Sequence, residues 1–232
     1  MQINKAMILG AGYGKRMLPL TKTIPKPLIK IGQKNLLERS IELLIKIGIK
    51  EIVLNVYYLS NEIEQFIKNK NYNIPIDLIK EGELLDTGGG ILNATKQFKD
   101  DPFLVLNPDT IWNKNYFKEF KILENSYIEN NKPILLVVNK KISYDKSFKG
   151  DFNFTKNNHI VRETNNQYIF TGAQIINRSV FEGIKKKKFS MNLIWDQMII
   201  AKKLVGKESN QTFFHVNNFE VYEKLNKLKF ID

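Results

Sequence analysis

LGAGYGKRMLPLTKTIPKPL, residues 9–28, decides how the rest of the chain reads. It overlaps the apolar run KAMILG (5–10), which suits a buried first strand. Gly10, Gly12 and Gly14 therefore fall at that strand's carboxyl end, the edge where parallel sheets bind ligands. The dinucleotide fingerprint needs its third small residue at position 15, which is Lys15, and the P-loop needs Ser or Thr where Arg16 stands. Neither loop applies. What remains is backbone clear of side chains, whose N–H groups can face a polyphosphate. Arg16 adds a bidentate fork for phosphate oxygens. Pro25 and Pro27 stiffen the chain around Lys26, a positioned point charge.

Outward from this stretch, strand and helix patterns alternate. NLLERSIELLIKIG (35–48) carries Leu37, Ile41, Leu44 and Ile45 at helical spacing, with Asn35 and Glu38 as a capping pair and Gly48 as a stop. EIVLNV (51–56), IDLIK (76–80), PFLVLN (102–107) and PILLVV (133–138) read as strands. SNEIEQFIKNK (60–70), ILNATKQF (91–98) and residues 113–130 read as helices, with DTGGG (86–90) in a loop. The alternation argues for a largely parallel sheet covered on both faces. From 148 onward the pattern shifts to the short strands GDFNF, HIVRE, YIFTGAQII and TFFHV, with helices near 178–185, at 191–203 and from 219. This second part is expected to extend the sheet and cover its open edge. With no internal repeat and no Pro/Ser-rich linker, one domain over 1–232 is expected, in two halves at 1–138 and 139–232.

The chain has 232 residues, enough for a sizeable core, and 43% hydrophobic residues, a globular balance. No apolar run approaches the roughly 20 residues that span a bilayer. The start reads as a strand, not a signal peptide, so a cytoplasmic protein with no membrane partner is expected. The absence of cysteine excludes disulfides, thiolate catalysis and thiolate metal sites. The net charge of +12 invites a nucleic-acid partner. Against that, only four basic residues are arginine and the lysines are spread along the chain, so no nucleic-acid partner is expected. Lys185–Lys188 is the one block, read as a solvated helix end or loop.

The ordered set G-x-G-x-R-M-x-P-L-T-x-x-x-P-K-P-L resembles the signature of the sugar-1-phosphate nucleotidyltransferases. The resemblance implies a Rossmann-like, mostly parallel mixed α/β sheet with helices on both faces, the nucleotidyltransferase or glycosyltransferase-A-like fold, with a nucleotide-binding half at 1–138 and a sugar-phosphate-binding half at 139–232. It implies that the stretch around Leu9, Gly10, Ala11, Gly12, Gly14, Lys15 and Arg16 wraps a nucleoside triphosphate while Lys26 steadies the transition state. EGELLDTGGGIL (81–92) is similar to the base-recognition segment, implicating Glu81, Thr87, Gly88 and Gly89, with Gly88–Gly90 letting the nucleobase approach backbone. VLNPDT (105–110) stands in the place of V-x-N-G-D, so Asp109 would hold Mg²⁺, although Pro108 replaces the usual glycine. KGDF (149–152), FTGAQI (170–175) and HIVRE (159–163) resemble segments that hold the sugar phosphate. They implicate Gly150, Asp151, Glu163, Thr171 and Gly172, with Asn107 beside them; Asp151 reads equally as a turn residue. Trp195, in FSMNLIWDQ (189–197), reads as packing.

The family usually closes its metal site with a second aspartate in W-x-D-x-G-T. Here FFHVNNFEVYEKL (213–225) puts His215 at that place and Asn217 and Asn218 where Gly-Thr would stand. His215 reads as a metal ligand or as a half-buried strand residue bonded to backbone. Imidazole suits softer ions better than Mg²⁺, so Mn²⁺ is an alternative cofactor. The short chain, with its DTGGG loop and GDF segment, looks most like the N-acetylmuramate-1-phosphate uridylyltransferases. A mannose-1-phosphate guanylyltransferase, another hexose-1-phosphate uridylyl- or thymidylyltransferase, and an inactive nucleotide-sugar sensor are the alternatives. The implied partners are a nucleoside triphosphate and a sugar 1-phosphate, with the chain a monomer or small homo-oligomer.

Overall fold

The computed structural model describes residues 2–228; Met1 and residues 229–232, at the ends of the expected domain, lie outside the described residues. The strands, in chain order, are β1 (Lys5–Leu9), β2 (Lys30–Ile31), β3 (Lys34–Asn35), β4 (Glu51–Val56), β5 (Ile76–Lys80) and β6 (Phe103–Leu106), then β7 (Ile134–Asn139), β8 (Asn153–Phe154), β9 (Ile160–Val161), β10 (Tyr168–Ile176) and β11 (Val205–Ser209). The helices are α1 (Leu36–Ile47), α2 (Ser60–Lys70), α3 (Asp86–Ala94), α4 (Tyr116–Asn130), α5 (Met191–Ile200) and α6 (Phe219–Asn226). The main sheet runs β11-β7-β10-β6-β1-β4-β5. β1 pairs in parallel with β4 and β6, β4 with β5, and β11 with β7, while β10 is antiparallel to both neighbours. This is the expected mostly parallel mixed α/β sheet.

Alternation along the strands builds the two faces. Ala6 and Ile8 join Leu54, Leu104 and Leu106 in a core under α1 and α4, whereas Met7 joins Val53, Phe103 and Val105 under α3 and α5. Asn35 caps α1 by accepting the Glu38 N–H at 2.7 Å, and Gly48 ends it at φ 98°. The capping pair is one-sided, because the Glu38 carboxylate is ion-paired with Lys70.

Several expectations are corrected. The second part does not simply extend the sheet: β10 inserts between β6 and β7, and only β11, absent from the sequence reading, forms the edge. DTGGG is the first turn and a half of α3, not a loop. Its glycines are tolerated inside a helix because neighbouring chain occupies the space where side chains would stand. The helix near 178–185 is a single 3₁₀ turn, Arg178–Phe181. TFFHV forms isolated bridges, Thr110 with His215 and Ser143 with Phe213, rather than a strand of the sheet.

Candidate active site

β1, β4 and β6 end side by side, and the segments that follow them surround a cavity of about 520 Å³. Residues 9–12 and 14–16 line it with Lys26, Glu81, Thr87, Asn107 and Asp109, so the candidate nucleotide residues converge there except Gly88 and Gly89. Gly14 needs its glycine: its φ is +64°, and a Cβ would stand 2.8 Å from Thr21, whose hydroxyl ties down the Gly14 carbonyl. Gly12 faces open space instead. Arg16 reaches the Asn217 side chain from one wall. Lys26 opens a 3₁₀ turn, Lys26–Leu28, with Pro25 and Pro27 buried on either side, so its ammonium leaves a rigid support.

That ammonium lies 2.6 Å from Asp109 Oδ2. Burial pushes the Asp109 carboxyl up, but the charges of His215, when protonated, and Lys26 outweigh it and hold the group well below the usual carboxylate range. The other carboxylate oxygen, Oδ1, is buried with no hydrogen-bond partner. His215 reaches this carboxylate because Val216 N–H donates to the Asp109 carbonyl at 2.8 Å and Ile111 N–H to the Phe214 carbonyl at 2.8 Å. His215 Nε2 then sits 3.6 Å from Asp109 Oδ2. Burial pushes the imidazole below its ordinary value, against the pull of Asp109.

Each ring nitrogen of His215 faces an oxygen, Nδ1 that of Thr110 at 3.4 Å and Nε2 that of Asp109 at 3.6 Å. Thr110 Oγ1 gives its proton to the Thr171 carbonyl at 2.5 Å, so toward His215 Nδ1, 3.4 Å away, it can only accept. A proton on Nδ1 would meet that acceptor and leave the Nε2 lone pair facing Asp109, the form in which His215 can take a cation. A lone pair and an unpartnered carboxylate oxygen on one site fit a cation. Among the described residues no cluster of three His, Cys, Asp or Glu side chains completes a protein cage. Two protein donors suit an ion whose remaining positions are filled by phosphate oxygens.

The three glycines are packed on the side that a Cβ would take. A Cβ on Gly88 would stand 2.4 Å from the Phe189 ring, one on Gly89 2.2 Å from the Lys187 carbonyl, and one on Gly90 2.7 Å from Asn55 Nδ2. These faces are closed by protein. Glu81 spends both oxygens internally, accepting from Asn55 Nδ2 at 2.7 Å and Leu85 N–H at 3.0 Å, while Asn55 Oδ1 accepts from Gly10 N–H at 2.9 Å. It braces the cavity.

Of the sugar-phosphate candidates, Asn107 lines the cavity; Gly150, Asp151, Glu163, Thr171 and Gly172 do not. Thr171 donates its hydroxyl to the Leu136 carbonyl at 2.7 Å, and Asp151 accepts from Phe170 N–H at 2.8 Å. Glu163 accepts from Asn153 at 2.5 Å. Gly172, at φ +94°, packs on Asn107, and Gly150 on Asn166. Trp195 is packing, as read, its indole donating to Gln174 at 3.0 Å. Sequence reasoning missed Lys188, which lines the cavity.

A Gly-rich loop, two anchored cations and a carboxylate at the carboxyl edge of a parallel sheet make this cavity a candidate nucleotide-phosphate site. Comparison with known proteins agrees. The Nucleotidyl transferase family model matches residues 5–160, and the chain belongs to that family. It is 33% identical over 185 residues to N-acetylmuramate alpha-1-phosphate uridylyltransferase of Neisseria meningitidis serogroup B, covering 78% of each chain. It is 40% identical over 111 residues to the mannose-1-phosphate guanylyltransferase catalytic subunit beta of Danio rerio, covering 46% of this chain and 31% of that protein. The chain thus spans about a third of the length of the mannose-1-phosphate relatives. Its fold superimposes on HddC from Yersinia pseudotuberculosis with a TM-score of 0.78 at 24% identity, covering 97% of this chain and 99% of that one. A UDP-glucose pyrophosphorylase complexed with UDP-glucose gives 0.80 at 17%, covering 97% of each chain.

Proposed function

We propose that the chain is a sugar-1-phosphate nucleotidyltransferase: NTP plus sugar 1-phosphate gives NDP-sugar plus pyrophosphate. The observation that carries this reading is Lys26 and Asp109 facing the Gly-rich loop and Arg16 within one cavity. A sugar-phosphate oxygen attacks the α-phosphorus and forms the new P–O bond. The bond from that phosphorus to the bridging oxygen breaks, and pyrophosphate leaves with the electron pair. The loop's N–H groups and Arg16 hold the triphosphate, and Lys26 turns from Asp109 toward the oxygens that gain charge. Asp109 and His215 would hold the divalent ion, Mg²⁺ or Mn²⁺, which supplies charge neutralisation on the phosphates.

UTP and N-acetylmuramate 1-phosphate are the proposed pair, because the Neisseria relative is similar across 78% of both chains. GTP with mannose 1-phosphate is the second reading, favoured by 40% identity over 111 residues. In this proposal the enzyme works in the cytoplasm as a monomer or small homo-oligomer; among the described residues no helix is long and apolar enough to cross a membrane. A pyrophosphate-release screen of four NTPs against a panel of sugar 1-phosphates tests it. Fastest release with UTP and N-acetylmuramate 1-phosphate is expected. Nucleotide binding without release from any pair overturns the enzyme reading in favour of a nucleotide-sugar sensor.

A further inference from the structure

Asn217 and Asn218 stand where the resemblance puts Gly-Thr, and the site described so far leaves the side chain gained at 217 without a role. Asn217 and Arg16 both lie on the cavity wall. The Arg16 guanidinium donates through Nη1 to Asn217 Oδ1. A guanidinium carries donors alone, so the contact also decides which end of the carboxamide meets it. The bond joins residues 201 positions apart, one in the Gly-rich stretch and one in the C-terminal segment. A glycine at 217 would offer no such acceptor.

Asn217 is held from both sides. Val216 before it is buried, and its N–H donates to the Asp109 carbonyl at 2.8 Å; Asn217 N–H itself donates to the His215 carbonyl at 3.0 Å. Asn218 after it caps α6, its Oδ1 accepting from Val221 N–H at 2.9 Å. At the far end of α6 Asn226 accepts from Gly32 N–H at 3.2 Å, and Val221 and Leu225 pack in one cluster with Met17, Ile29 and Ile31. Arg16 has no comparable support. It is exposed, and among the described residues Asn217 is its side chain's one hydrogen-bond partner. Unheld, so long a side chain would lose much rotamer freedom on meeting a ligand.

We propose that Asn217 is a positioning residue: it holds Arg16 in place for the triphosphate of the NTP and lowers the ordering cost of nucleotide binding. The inference rests on the transferase reading, in which Arg16 meets the triphosphate. An amide suits the task for a reason of charge. A carboxylate at 217 would pair with the guanidinium and compete with phosphate for it. A neutral oxygen holds the guanidinium and leaves its charge and its other N–H groups for an anion.

The test is a double-mutant cycle on nucleotide affinity. Dissociation constants for UTP and for GTP, each with Mg²⁺, are measured by calorimetry, and the tighter nucleotide is carried through the series. Arg16→Met is expected to weaken binding roughly 10- to 100-fold, the loss of a charge-assisted contact, and Asn217→Ala roughly 5- to 10-fold. In the Arg16→Met background Asn217→Ala should cost less than about twofold, because the group it positions is gone. Asn217→Asp should bind at least as weakly as Asn217→Ala, with urea midpoints of both close to wild type. An Asn217→Ala loss of equal size in both backgrounds, no loss in the wild-type background, or tighter binding by Asn217→Asp than by Asn217→Ala overturns the assignment. A wild type that binds neither nucleotide, or an Arg16→Met protein that binds like wild type, fails the underlying reading and the proposal with it, so the two failures are distinguishable.

Discussion

At Asp109 two opposing influences meet on one carboxyl. Burial disfavours its charge, and His215, when protonated, and the Lys26 ammonium at 2.6 Å restore it. Lys26→Ala should therefore lower kcat at least about a hundredfold, the usual loss for one preorganised charge, while circular dichroism stays native. Asp109→Asn should nearly abolish pyrophosphate release. His215 gives two further measurements. His215→Asp should lower the Mg²⁺ concentration that gives half-maximal rate, because carboxylate suits this hard ion better than imidazole. An unchanged metal titration would remove His215 from the ion. Burial also lowers the His215 pKa from 6.5, so its contribution to stability is full above that pH and is lost as pH falls through 6.5 toward the folded value. Between pH 7.5 and 5.5 the urea midpoint of wild type should thus fall relative to that of His215→Gln. These residues were visible in the sequence as types, but Asp109 and His215, 106 residues apart, are brought together by the 109–111 and 214–216 backbone bonds.

On the scale of elements, α3 packs against residues 187–191. Glycine-rich segments at a sheet's ligand edge read as loops, and at α3 the segment is helix, packed on the side its side chains would take. The two signals look alike in one dimension, since both need an absent side chain. What distinguishes them is the neighbour, which for Gly88 and Gly89 is Phe189 and the Lys187 carbonyl. Gly88→Val should consequently destabilise the fold by about 1–3 kcal/mol through overpacking, read as a lower urea midpoint, whether or not nucleotide is present. A stable Gly88→Val protein with a raised KM for NTP alone would return the glycine to base recognition.

For the whole molecule, ligand and fold are linked through the meeting of β1, β4 and β6. Mg²⁺ with the preferred NTP at about 100 times Kd should stabilise the native state by about 2.7 kcal/mol. For a chain of this size that raises Tm by roughly 5–10 °C. The gain should vanish in Asp109→Asn if the ion carries the triphosphate in, and a metal-independent gain of equal size would show that the loop binds NTP without it.

The sequence by itself determined the alternating α/β layers, because periods of 2 and 3.6 in apolar residues are local. It also determined the Gly-rich stretch read as a phosphate loop, whose glycines, Arg16 and Lys26 are close along the chain and line one cavity. Only the tertiary structure decided that β10 runs antiparallel through the middle of the sheet, since YIFTGAQII is apolar enough for several sheet positions and direction is set by distant partners. The same holds for Lys188. Four consecutive lysines carry no local sign of which one faces a cavity; that depends on Phe189 finding the space left by Gly88 a hundred residues earlier.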